Sequence, residues 1–142
     1  MKYIVEETTF YTLNRLIVKI KKNMAKQIKP YDVTLEQWSL LTRLWKDDGI
    51  SQTELALRTN KDLPTVTRTL VKLREKGLIE KKENPNDSRA YLVYLTEEGK
   101  KLEKPLDTIA QEVENKILES LTPSEVVTFK KIMNSISNNF DN

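Results

Sequence analysis

Apolar residues recur every three or four positions along most of this chain, and turn formers interrupt them. That period is the signature of amphipathic helices. From 6 to 29 the repeating positions are Phe10, Leu13, Ile17, Ile20, Met24 and Ile28, and Pro30 stops the helix they predict. Thr34 and Gln37 make a T-x-x-Q capping box for a second helix, which buries Leu35, Trp38, Leu41 and Leu44 and ends near Gly49. A short third helix opens at Ser51, with Glu54 reaching back to complete an S-x-x-E box. Leu55 and Ala56 face inward, and Thr59 and Asn60 break it. A fourth runs from 62 to 76, with Asp62 as N-cap, Pro64 in the first turn and Gly77 closing the end. Leu63, Val66, Leu70 and Leu73 form its predicted buried stripe. Thr65, Arg68, Thr69 and Lys72 form the opposite face.

The period then changes to two. Residues 78–82 and 90–95 read as paired strands, Tyr91, Val93 and Leu95 alternating with Ala90, Leu92 and Tyr94. The loop between them, 83–89, is rich in turn formers. Thr96 caps a long helix carrying Leu102, Leu106, Ile109, Val113 and Ile117. Pro105 inside it predicts a bend or a broken start. Thr122, Pro123 and Glu125 open a last helix with Val126, Phe129, Met133, Ile136 and Phe140 on one side. The first and last stripes each need a partner surface. They pack on one another within one chain or against a second copy, and periodicity leaves both open.

Composition narrows the chemistry. At 142 residues the chain makes one domain, or one domain plus a dimerisation arm, able to bury roughly 68–70% of its unfolded surface without staples. It has no Cys and no His, which removes disulfides, a thiol nucleophile, the usual zinc ligands and the commonest general base. Its three glycines form no phosphate-cradling loop, and no pair of carboxylates reads as catalytic. We therefore expect neither an enzyme nor a cofactor. No signal peptide or membrane span is visible, so the expected location is the cytoplasm. The net charge of +3 is unevenly spread. Residues 58–89 hold nine basic against five acidic side chains, and 96–142 hold six against nine. A basic middle and an acidic end fit a nucleic-acid-binding head on an arm of another role, although short basic stretches are also ordinary solvated surface.

The helix-turn-helix from 51 to 76 sharpens this. A helix with an apolar back and a donor-rich front suits a DNA major groove. The candidate DNA contacts are Ser51, Thr65, Thr67, Arg68, Lys72 and Arg74, with Asp87 and Arg89 in the hairpin. Arg89 on a loop tip would enter a minor groove, where the potential is most negative, and Asp87 is near enough to hold it.

The segment 75–100, EKGLIEKKENPNDSRAYLVYLTEEGK, resembles the MarR-type winged-helix transcription regulators. Asp87-Ser88-Arg89 matches their D-x-R wing, Leu95-Thr96 the L-T pair that opens the next helix, and T-V-T-R their recognition helix. The order and lengths of the flanking helices fit too, so the resemblance covers nearly the whole chain. It implies a mainly α fold with a small β-hairpin wing. Residues 30–96 would form the DNA-binding head, and 1–29 with 97–142 the helices of a dimerisation arm. It also implies a homodimer on palindromic double-stranded DNA, acting as a ligand-responsive repressor. Relatives often hold small aromatic or anionic effectors between head and arm. The corresponding candidates are Tyr11, Asn14, Arg15, Tyr31, Trp38 and Trp45, of which Tyr11, Arg15 and Trp38 are the main ones. For Trp38 and Tyr31 ordinary core packing is the stronger reading, and a surface ion pair competes for Arg15. Lack of Cys and His excludes sensing by thiol oxidation or by zinc capture through histidines. Two other functions stay open: a winged-helix protein-interaction module without DNA binding, and a small-ligand carrier.

Overall fold

In the computed structural model, residues 8–141 are described, with Ser88 and Arg89 described in backbone only. Glu6 and Glu7, expected at the head of the first helix, lie outside them. Helix α1 spans Thr9–Ile28 with Thr8 as its N-cap, and a single 3-10 turn, Lys29–Tyr31, carries Pro30. Helix α2 spans Leu35–Lys46 behind the complete Thr34–Gln37 capping box. It stops three residues before Gly49. That glycine has φ +73° and turns the chain into a short strand β1, Ile50–Ser51, which periodicity did not reveal. Helices α3 (Gln52–Thr59) and α4 (Leu63–Glu75) follow, with Asn60 left-handed between them.

Strands β2 (Ile79–Asn84) and β3 (Asp87–Leu95) form the hairpin, and β1 adds to the other side of β3, giving the antiparallel order β1-β3-β2. The strands are longer than expected. Asn84 pairs with Asp87, so only Pro85 and Asn86 make the turn, and Asn86 N–H donates to Asn84 Oδ1 at 3.0 Å. Pro85 supplies a set φ, and the Asn84 side chain closes the corner. Residues 88–90 fall between the pairs Glu83–Tyr91 and Asn84–Asp87, where β2 has none. Arg89 therefore stands on an irregular stretch of β3 rather than at a loop tip.

Beyond Thr96 the helix is broken as Pro105 requires. Helix α5 spans Glu97–Lys101, α6 spans Glu103–Leu118, and Pro105 has no N–H to give the Lys101 carbonyl. Helix α7, Pro123–Asn138, starts on the complete Thr122–Glu125 box and ends before Phe140. One core joins Ile28, Leu40, Leu41, Leu44, Leu55, Val66, Leu70, Leu73, Val93 and Leu106. The arm is different. No residue of α7 is buried, and Phe10, Leu13, Ile17, Met133 and Ile136 are exposed. Within one chain the two terminal stripes do not cover each other.

Candidate nucleic-acid interface

Helix α4 is set by its caps and by its buried back. The Asp62 carboxylate accepts the Thr65 N–H at 2.8 Å, which pulls its pKa below the usual carboxylate value; the nearby Arg68 adds to this. Val66, Leu70 and Leu73 are fully buried against α2, α3 and β2. Arg68 and Lys72 point outward, and Thr65 is half-buried beside them. Arg68 Nη2 donates to Thr65 Oγ1 at 3.3 Å, joining the two front residues. Lys72 Nζ lies 4.0 Å from Glu75, an exposed pair that leaves it open to another anion.

Three expectations about this helix-turn-helix need correction. Thr69 is buried, and its hydroxyl donates back to the Thr65 carbonyl at 2.9 Å, so it is not a front donor. Leu63 is 46% exposed, because the first turn of α4 protrudes beyond the core. Glu54 does not complete the Ser51 box. Ser51 Oγ accepts the Glu54 N–H at 3.1 Å, but the Glu54 carboxylate takes Arg58 Nε at 2.7 Å. Arg58 also meets Asp47 at 2.6 Å. The guanidinium outcompetes a backbone N–H for the carboxylate, and Arg58 is thereby neutralised within the head.

The remaining candidates are distributed as follows. Thr67 faces α3, its hydroxyl lying 2.9 Å from the Leu63 carbonyl and 3.2 Å from Gln52 Oε1. Arg74 is exposed on the same flank of α4. Asp87 is exposed at the start of β3; the Arg89 side chain lies outside the described residues. The wing carries further cations that sequence reasoning passed over. Lys82 Nζ stands 4.8 Å from the centre of the Tyr94 ring, and Lys81 Nζ 6.0 Å from that of Tyr91. Cross-strand pairing places these side chains together, which the sequence signals only once the register is known.

The proposed effector residues divide. Arg15 stands 6.0 Å from the centre of the Tyr11 ring on α1, and Asn14 is exposed. Trp38 and Trp45 pack against the core, and Trp45 Nε1 donates to the Gly99 carbonyl at 2.9 Å. Tyr31 is exposed. None of the six lines the groove of about 700 Å³ between α1, α6 and α7, whose walls include Leu16, Ile20, Val113, Ile117, Phe129 and Ile132. Among the described residues no helix is long and apolar enough to cross a membrane.

Comparison with known proteins agrees with this architecture. Residues 33–91 match the MarR family. The chain is 32% identical over 129 residues to the multiple antibiotic resistance protein MarR of Escherichia coli, covering 87% of this chain and 90% of that protein. It is 24% identical over 136 residues to the transcriptional repressor IacR of Pseudomonas putida, covering 96% and 81%. Among solved structures, the S. aureus MepR–DNA complex superimposes with a TM-score of 0.89 at 25% identity, covering 94% of this chain and 98% of that one. Fold, wing and sequence lead to one assignment: the chain belongs to the MarR family of winged-helix transcriptional regulators.

Proposed function

We propose that this regulator is a homodimeric repressor that reads a roughly palindromic operator through α4 and the wing. The observation that carries the reading is the front of α4, where Thr65, Arg68 and Lys72 present donors opposite a fully buried stripe. Thr65 and Arg68, in the N-terminal half, would meet base edges, while Lys72 and Arg74 would meet phosphates. Ser51 and Thr67 would support the helix-turn-helix at the backbone. Arg89 would enter the flanking minor groove with Asp87 orienting it. The MepR structure with DNA and the repressor IacR support this reading by likeness. The exposed stripes of α1 and α7 support a dimer, since apolar faces of this extent are normally covered.

Effector binding would centre on Tyr11 and Arg15, a cation beside an aromatic ring being suited to an aromatic anion, with Trp38 as the third candidate. Selection of bound duplexes from a random pool by the purified chain tests the function and returns the operator. An enriched inverted repeat, half-sites about 10 base pairs apart or a multiple of that, is expected. A pool without enrichment, or a chain that light scattering finds monomeric on DNA, would reject the reading and favour an interaction module without DNA binding.

A further inference from the structure

Lys76 is the C-cap of α4, yet its side chain leaves that helix. It is only 25% exposed. Its ammonium donates to the Asp32 carbonyl at 2.6 Å and to Gln37 Oε1 at 2.8 Å, and stands 3.6 Å from Asp32 Oδ1. Both partners belong to the corner where α1 hands over to α2. Asp32 closes the 3-10 turn after α1 in a left-handed conformation, φ +56°. Gln37 is buried, and the same Oε1 accepts the Thr34 N–H at 3.2 Å in the capping box of α2. One cation thus gathers the acceptors of a corner that precedes it by about forty residues.

We propose that Lys76 is a positioning residue for DNA reading, clamping the C-terminal end of α4 to the α1–α2 corner. The proposal rests on α4 being the recognition helix. The apolar back of α4 holds it to the head without direction, because apolar burial is non-directional. Charge-assisted hydrogen bonds are short and directional, so the clamp sets rotation and height. Base-edge contacts made at the other end of α4 depend on both. Since α1 carries the arm stripe into this corner, the clamp also ties the arm to the reading head.

The competing role for a lysine here is a phosphate contact, and the two roles differ in what they change. A phosphate contact acts on all sequences alike and lowers the salt slope by about one unit when lost. A positioning residue acts on sequence preference and leaves the slope alone. The test uses the full chain, the duplex enriched by random selection and a scrambled duplex, titrated by fluorescence anisotropy over a salt series. Circular dichroism confirms that each variant is folded. Lys76→Met should weaken the selected duplex by at least about tenfold and the scrambled one by less than about twofold, with an unchanged slope. Gln37→Met, which removes no charge, should act in the same direction, and the double variant should be no weaker than the weaker single. Gln37→Met also keeps the test decisive should Lys76→Met fail to fold. Equal loss on both duplexes with a lower slope, or unchanged preference in the folded variants, would overturn the clamp alone. A wild-type chain that does not distinguish the duplexes would overturn the reading of α4, and the clamp with it.

Discussion

Gly49 lies against the ring of Tyr94: a Cβ built on Gly49 would stand 2.7 Å from Tyr94 Cε1. The glycine is left-handed, φ +73°, and its N–H donates to the Val93 carbonyl at 3.0 Å, starting the pairing of β1 with β3. Gly49→Ala therefore adds a left-handed penalty of about 1–2 kcal/mol to an overpacking penalty of about 1–3 kcal/mol. The expected fall in melting temperature is roughly 5–15 °C. In a Tyr94→Ala background only the backbone penalty is left, so the same substitution should lower it by less. Thermal unfolding of the four proteins checks both statements.

The front of α4 divides by position. Arg68→Ala should cost on the order of 1–3 kcal/mol on the best duplex and relax preference at one base position. Lys72→Ala should weaken all duplexes alike and lower the salt slope by about one unit. Titrations on the selected duplex and on single-base variants measure both. Equal loss of specific and non-specific binding in Arg68→Ala would remove it from the base-reading set.

Much of this architecture was legible because it is local. The caps at Thr34, Asp62 and Thr122 each join residues three apart, and the helix break before Pro105 needs only one missing N–H. What was hidden depends on partners distant in sequence or on competition. β1 exists because Ile50 and Ser51 meet Val93 and Leu92. Glu54 abandons its capping role because Arg58 is held beside it by Asp47 as well. Lys76 reads as one more solvated cation until the fold brings Asp32 and Gln37 to it. Thr69 reads as a front donor from its spacing, but its hydroxyl is taken up by the Thr65 carbonyl of its own helix.

Acid should act through two helix starts. The N–H of Thr65 holds the Asp62 carboxylate below its ordinary value of 3.8, and the N–H of Thr122 holds Glu125 below 4.5. Both pKa values are lowered by folding. Their contribution is full above those ordinary values and is lost as pH falls through the lowered ones. An Asp62→Asn, Glu125→Gln variant keeps both caps without the titrations. Its melting temperature should fall less steeply than wild type as pH drops below about 4. Parallel curves would contradict these assignments.

The wing makes a prediction of unusual sign. Asp87 is negative on the face proposed to meet DNA, so electrostatics alone has Asp87→Ala binding more tightly. An orienting role for Arg89 has it binding more weakly. We expect weaker binding from Asp87→Ala and a larger loss from Arg89→Ala, with little change in melting temperature, since surface ion pairs in general add only about 0–1 kcal/mol to stability. Anisotropy titrations decide the sign.

This chain is proposed to read duplex DNA by sequence through α4 and the wing. The most direct measurement is the affinity of the purified chain for its selected duplex and a scrambled one, at 50 mM and about 200 mM salt. A preference of at least about 10³ for the selected duplex is expected, with a steep fall of both affinities with salt. Equal affinity for the two duplexes, or binding indifferent to salt, would contradict it.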